Sequence, residues 1–370
     1  MPIYMDRHDV SETVTAENVA QLHQQDLKIQ HLYNCKGLTY WFDGKRKTAF
    51  CLIDAPNKEA IKMMHDKAHG EIPHRIIEVD DAVVESFLGR IEDPEKSQKT
   101  ELNIINDPAF RTLMVIGIKL LSLKGSATKE LPSVFQSHGN AIVKKINTFN
   151  GSIVKQKSDY FLASFDSVTN AVLCAINIQT MLNMTVENTF FSDVTVNMGL
   201  SAGVPVTEKE NIFEDTIKTA ERLCSFVKGQ IVITPEVKDL YESENLNISI
   251  DEEIVYALSL TEEKFLNVFM DYVDREWRCT TLNIDRFIKD LGYSKSKLYR
   301  SMIPLTGKSP NTFLKEYRLN RALQLLNNQM LNISEIAYET GFNSPAYFTR
   351  AFKKQFGLLP TSFMKGSKAN

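Results

Sequence analysis

Cysteine is scarce in this chain and badly spaced for cross-linking. The five present (Cys35, Cys51, Cys174, Cys224 and Cys279) are an odd number, spread from end to end, with no C-x-x-C pair. That pattern argues against a disulfide framework or a structural zinc knuckle and fits a reducing compartment. Long apolar runs are missing as well. The longest, Leu113 to Leu123, is interrupted by Lys119 and is too short to cross a bilayer. The opening MPIYMDRHDV lacks a basic stretch followed by an apolar one, so no secretory signal is expected. A cytoplasmic location with no membrane partner is the expectation. Hydrophobic residues at 43% and charged residues at 24% are ordinary values, which argues against wholesale disorder, a collagen-like repeat or a pure coiled coil.

Charge and histidine are both unevenly placed. Residues 271–370 hold 16 Lys+Arg against 8 Asp+Glu, a balance of +8. The first 270 residues hold 27 against 38, a balance of −11. A basic end on an acidic body suggests a polyanion-binding module attached to something else. Six of the seven histidines (His8, His23, His31, His65, His69 and His74) fall within the first 74 residues, and the seventh is His138. A length of 370 predicts two or three domains.

Residues 1–91 read β-α-β-β-α-β, the order of a ferredoxin-like α+β sandwich. Thr15 caps a first helix whose apolar positions are Val19, Leu22, Leu27 and Ile29, and Asn57 caps a second that Gly70 ends. Residues 92–107 are mostly polar and read as a linker. Residues 108–245 again mix strands and helices around a GSIVKQKSDYFLASF hairpin, giving a second α+β domain on an antiparallel sheet. From about residue 262 the pattern is wholly helical.

The helical end contains an internal repeat. Arg300, Gly307, Pro310 and Phe313 recur fifty residues later as Arg350, Gly357, Pro360 and Phe363. Such a period marks duplicated supersecondary structure. Each unit reads helix, turn, helix. Gly292 ends one helix and Ser294 caps the next. In the second unit Asn332 with Glu335 makes a capping box, Gly341 ends the helix and Ser344 caps its successor. In that last helix Phe348, Ala351, Phe352 and Phe356 form a core stripe. Ala346, Thr349, Arg350 and Lys353 form an opposite stripe able to enter a DNA groove.

GFNSPAYFTRAFKKQFGLLPTSF resembles the signature of AraC-type transcriptional regulators, over about residues 262–366. The resemblance implies base-reading positions at Ser296, Tyr299 and Arg300 in the first recognition helix, and at Ala346, Tyr347 and Arg350 in the second. The implied partner is double-stranded DNA, read by a protein that regulates transcription. RNA polymerase is a further expected partner.

HGNAIVKKINTFNGSIVKQKSDYFLASFDS, VNMGLSAGVP and FEDTIKTAERL resemble the class III nucleotide cyclase homology domain, over roughly 108–245. Such an enzyme holds two metal ions on two carboxylates. Asp159 matches one of those positions, but the other falls at Gly117, and the transition-state Asn falls at Lys218. Lys155 and Asp215 match purine-selecting positions, and Arg222 matches its own. The resemblance therefore implies a domain without catalysis, retaining either a vestigial nucleotide pocket at Lys155, Asp159, Asp215 and Arg222 or merely remnants of the fold. The rival reading is an active cyclase with a DNA-binding tail.

In HDKAH, His65 and His69 stand at i and i+4 on one helical face, a spacing that can bind a divalent metal. YMDRHD, TYWFDG, AFCLIDAPNKEAIKMMHDKAHG and HRIIEVD resemble a small domain some of whose members are described as nickel-binding. His8 and His23 are candidates to join His65 and His69; His31 and His74 are less well placed. Imidazole-rich sites suit nickel, zinc or copper. A metal-storage role, or a dimerising or small-ligand domain whose histidines merely pack, are the alternatives. Cys51 is expected in a core strand. The fold class expected is thus multidomain: a ferredoxin-like domain (1–91), a degenerate cyclase-like domain (108–245) and an all-α double helix-turn-helix domain (262–366). A homodimer answering a divalent metal, nickel or zinc, or a small molecule completes the expectation.

Overall fold

The structure is a computed structural model describing residues 1–94, 102–120, 131–186, 194–246, 248–328 and 330–366. Residues 95–101 of the expected linker and 121–123 of the apolar run lie outside the described residues. Two sheet-containing α+β regions are followed by an all-helical region. Among the described residues no helix is long and apolar enough to cross a membrane.

The first region comprises β1 (Ile3–Asp9), α1 (Ala16–Ile29), β2 (Lys36–Asp43), β3 (Thr48–Asp54), α2 (Lys58–Ala68), β4 (Arg75–Val79) and α3 (Asp81–Leu88). Its four strands run antiparallel in the order β2-β3-β1-β4, which is the ferredoxin-like arrangement. TYWF and AFCLI are near-continuous apolar runs because both faces of this sheet are covered. Tyr4, Tyr40, Phe42, Cys51 and Ile53 face α1 and α2. Met5, Trp41, Phe50 and Leu52 face the second region and share its core. The stripe expected on α1 needs correction. Its buried residues are Val19, Ala20, His23 and Asp26, whereas Leu22, Leu27 and Ile29 are only half-buried. The apolar spacing was loose because two of the inward positions are titratable.

The expected linker is also corrected where it is described. Ile105 is buried, and Tyr40 Oη lies 2.8 Å from both the Asn103 carbonyl and the Ile105 N–H. Phe42 N–H donates to the Asp107 carbonyl at 3.1 Å. Arg111, 5% exposed, donates to the Phe87 and Leu88 carbonyls at the end of α3, each at 3.2 Å. The segment entering the second region is therefore laced to the first.

The second region contains β5 (Arg111–Leu120), α4 (Leu131–Thr148), β6 (Ser152–Gln156), β7 (Tyr160–Phe165), α5 (Val168–Val186), β8 (Val194–Gly203), α6 (Glu214–Phe226), β9 (Ile231–Ile233), α7 (Pro235–Glu244) and β10 (Val255–Ala257). Strand order is β10-β9-β8-β5-β7-β6. The sheet is not wholly antiparallel: β8-β9 and β9-β10 pair in parallel. Helices α4, α5 and α7 pack on one face. The other face carries α6 and the first region's sheet. Gly199 is what lets α6 approach, since a Cβ there would stand 2.2 Å from the Ala220 carbonyl.

The third region is α8 (Leu260–Glu276), α9 (Ile284–Leu291), α10 (Lys295–Thr306), α11 (Pro310–Asn328), α12 (Ile333–Glu339), α13 (Pro345–Phe356) and α14 (Pro360–Gly366). It has two cores. One, around Phe269, Phe287, Leu298 and Phe313, also takes in Leu223 and Val227 of the second region. The other, around Leu326, Ile336, Phe348 and Phe352, belongs to the second helix pair.

Candidate metal centre and nucleic-acid interface

Alternation along β1 turns Asp6 and His8 towards the helices, where α1 supplies Asp26 and α2 supplies His65 and its capping residue His69. His65 Nδ1 is 3.1 Å from Asp26 Oδ1 and 3.2 Å from His69 Nε2, and His69 Nε2 is 3.2 Å from Asp26 Oδ1. These three atoms form a nearly equilateral triangle. Donor atoms about 2.1 Å from one ion stand roughly 3.0–3.4 Å apart in octahedral or tetrahedral coordination, so the triangle has the size of a coordination face. Asp26 Oδ1 is buried and makes no hydrogen bond, although two ring nitrogens are close; only Oδ2 has hydrogen-bond geometry, to His69 at 3.3 Å. The donor types suit a divalent transition metal held by Asp26, His65 and His69, and binding through His69 Nε2 requires its proton to move to Nδ1, which then gives up the Glu71 N–H it accepts at 3.1 Å.

On the far side of the His65 ring, Nε2 meets Asp6 Oδ2 at 2.9 Å. Asp6 is fully buried; its Oδ1 accepts the Cys51 N–H at 2.9 Å and lies 3.5 Å from His8 Nε2. Burial opposes charge on Asp6, yet His8 and His65 hold its carboxyl well below the usual range. Burial likewise opposes charge on His65, but Asp26 and Asp6 raise it to about 10. Asp26 is lowered by His65 and His69 against its own desolvation. Burial pushes the Cys51 thiol up.

Of the histidines singled out from sequence, His65 and His69 share one triangle and His8 stands beside them, its ring 5.1 Å from that of His65. His23 does not join. It faces Asp93 at 3.6 Å and packs on Tyr40, so it is corrected to a neighbour of the centre. His31 lies in a short 3-10 turn after α1, and His74 Nδ1 accepts the Asp9 N–H. Sequence reasoning missed both carboxylates. The available signal was local: Asp6 precedes His8 by two in a strand, and Asp26 follows His23 by three in a helix.

In the helical region, the fifty-residue repeat is a repeat of structure. Ser294 and Ser344 cap α10 and α13, and Gly307 and Gly357 end them in the left-handed conformation. Leu298 and Phe348 are fully buried at matching positions, as are Met302 and Phe352. Ser296, Arg300, Ala346, Tyr347 and Arg350 are exposed, and Tyr299 is half-buried. Neither α10 nor α13 has an acidic residue in its first turn, which leaves both helix N-termini compatible with phosphate.

Two of the four residues expected in a nucleotide pocket are engaged elsewhere. Arg222, 5% exposed, donates to Asp271 at 2.6 Å, to Asp274 at 3.0 Å and to the Asn267 side chain at 3.0 Å, all on α8. Asp215 accepts from Thr207 Oγ1 at 2.9 Å. Lys155 and Asp159 are exposed on the β6-β7 hairpin. Lys218 is bound to Asp271 at 2.8 Å. Position 117 has little room, because a Cβ there would stand 3.0 Å from Cys224 Sγ.

Residues 288–366 match the family described as "Helix-turn-helix domain". The C-terminal region is an AraC-type helix-turn-helix domain. Residues 4–79 match the family described as "Nickel responsive protein SCO4226-like". Among similar proteins is Histidine kinase P4 of Formosa agariphila, 34% identical over 127 residues, covering 34% of this chain and 8% of that protein. The HTH-type transcriptional regulator ExsA of Pseudomonas aeruginosa is 29% identical over 114 residues, covering 30% of this chain and 39% of that one. The chain therefore spans well under half the length of these two relatives. A solved Adenylate/Guanylate Cyclase/Hydrolase from Silicibacter pomeroyi is 22% identical with a TM-score of 0.31, covering 37% of this chain and 83% of its own.

Proposed function

We propose that the chain is a sequence-specific DNA-binding transcription regulator whose N-terminal domain holds a divalent transition metal as effector. The observation that carries it is the duplicated recognition helix, with Arg300 and Arg350 exposed over matching buried residues. On this reading Ser296, Tyr299, Arg300, Ala346, Tyr347 and Arg350 face the bases, and the surrounding basic residues meet phosphate. Asp26, His65 and His69 hold the ion, nickel or zinc, with His8 beside them. The ion supplies a fixed positive charge that ties α1 to α2.

The middle domain connects rather than catalyses. That reading is supported by the absence of a carboxylate at Gly117 and by the engagement of Lys218 and Arg222 with α8. The protein works in the cytoplasm with RNA polymerase as a further partner. It acts as a homodimer, and the copies meet outside the middle sheet's second face, which this chain's own N-terminal domain covers. The test is selection from random duplex DNA with the full-length protein, followed by footprinting with and without nickel. A single enriched motif protected over two adjacent major grooves is expected. Protection that ignores sequence would end the proposal.

A further inference from the structure

Both nitrogens of the His65 ring are taken, one on each side of the ring. Nδ1 completes the triangle with Asp26 and His69, and Nε2 points the opposite way, to Asp6 Oδ2 at 2.9 Å. Asp6 cannot swing aside. It is fully buried, and its second oxygen is held by the Cys51 backbone N–H at 2.9 Å, with His8 Nε2 at 3.5 Å. We propose that Asp6 is the positioning residue of the centre: it fixes the His65 ring so that Nδ1 is the coordinating atom and Nε2 keeps its proton. The proposal rests on the metal reading of Asp26, His65 and His69.

The physical reason is that an imidazole offers two nearly equivalent nitrogens, and the hydrogen bond made by one decides what the other does. A ring bound to a cation becomes a better N–H donor, and a buried carboxylate is the acceptor that profits most. Pinning that carboxylate to β3 transmits the rigidity of the sheet to a ring carried on α2. A competing geometry exists, because Asp6, His8 and Cys51 also bring donor atoms within 4.8 Å of one another. If Asp6 were itself a ligand there, a second ion would bind and any loss of its charge would remove that ion.

The experiment uses the full-length chain. Nickel(II) is titrated calorimetrically, bound metal is counted, and the cobalt(II)-loaded protein is examined for paramagnetically shifted, exchangeable imidazole N–H protons. Wild type should bind one ion and show a shifted, slowly exchanging proton that is lost in His65→Gln. Asp6→Ala should weaken nickel binding about 10–100-fold and lose that proton to fast exchange. Asp6→Asn keeps one acceptor oxygen; turned to Nε2–H it sets its NH2 against the Cys51 N–H, so nickel binding should fall between wild type and Asp6→Ala with the proton retained, and far-UV circular dichroism confirms that each variant is folded. Two ions in wild type falling to one in Asp6→Asn would make Asp6 a ligand and overturn the proposal. So would unchanged binding and spectrum in Asp6→Ala. A wild-type chain that binds no metal would instead remove the metal reading itself, and the proposal with it.

Discussion

Lys228 donates its backbone N–H to the Leu305 carbonyl at 2.8 Å, joining the end of α6 to the last turn of the first recognition helix. Around that bond Phe226 packs on Phe313 and Tyr317, with ring centroids 5.4 and 5.7 Å apart. The same helix lays Ala220 and Cys224 into the core shared with Met5 and Trp41 of the metal-type domain. Helix α6 thus shares a core with the sheet that carries Asp6 and packs against the module that carries Arg300. The first helix pair is anchored to it, while the second keeps its own core.

Arg222 is a nearly buried polar element of that anchorage. Arg222→Ala should remove charge-assisted hydrogen bonds from a nearly buried group, leaving Asp271 with Lys218 alone and Asp274 with Tyr317 Oη. A loss of about 1.5–3 kcal/mol from the docking of α8 is expected. Denaturant unfolding should then split, with the helical region melting before the middle sheet. A single transition at the wild-type midpoint would show that the apolar contacts alone hold the two together.

The exposed arginines of the repeat should read bases. Arg350→Ala should lose about 1–3 kcal/mol of discrimination between the selected site and random duplex, if its guanidinium meets guanine. Affinity of the whole protein should fall steeply with salt, because phosphate contacts release counterions. Gel-shift titrations at two salt concentrations check both. Equal loss on specific and random DNA would reduce Arg350 to a phosphate contact.

Much of this was legible because local signals agreed. Gly292, Ser294, Gly341 and Ser344 bound helices whose register the repeat already fixes, and the β-α-β-β-α-β order of the first domain pointed to its ferredoxin-like sheet. What was not legible is long-range. No local pattern says that TYWF is buried on two sides by different partners. Lys218 and Arg222 look like relics of a nucleotide site until α8, some fifty residues on, brings Asp271 and Asp274 to them. The α1 stripe misled for a different reason: His23 and Asp26 occupy the inward face that apolar residues usually mark, so the functional site blurred the helical period.

Purified protein with ATP or GTP and magnesium or manganese should form no cyclic nucleotide above background. A carboxylate at position 117 would crowd Cys224, and Arg222 is held by α8. Chromatographic product analysis checks this. Turnover that vanishes in Asp159→Ala would restore the enzyme reading.

The metal-free centre should make stability depend on pH. His65 is raised to about 10 in the folded chain against roughly 6.5 unfolded, so its stabilisation is complete below about 6.5 and is lost as pH climbs towards 10. Asp6 and Asp26 are lowered, so theirs is present above about 3.9 and is lost as pH falls through the folded values. Thermal melting in a chelator should therefore decline from pH 6.5 to 9.5, and His65→Gln should flatten that decline. Parallel curves for the two proteins would mean that His65 is not the group being titrated.

The centre's membership can be tested by contrast. His23 is buried and lies in the same histidine-rich domain, yet it faces Asp93 and Tyr40 instead of the triangle. His69→Ala and Asp26→Ala each remove one corner of a three-atom face, and two remaining donors rarely hold an ion against water. Nickel affinity should fall at least about 100-fold in either, whereas His23→Ala should change it only a few-fold, the lower range of what ligand-shell neighbours do. Asp26→Asn separates charge from shape. Its amide oxygen keeps the position but is a poorer donor to a cation, so an intermediate loss is expected. Titrations of the full-length variants at one pH, with far-UV circular dichroism to confirm folding, give the order directly. An order in which His23→Ala is as damaging as His69→Ala would move the centre towards Asp93, where His23 Nε2 and Asp93 Oδ1 both lack hydrogen-bond partners.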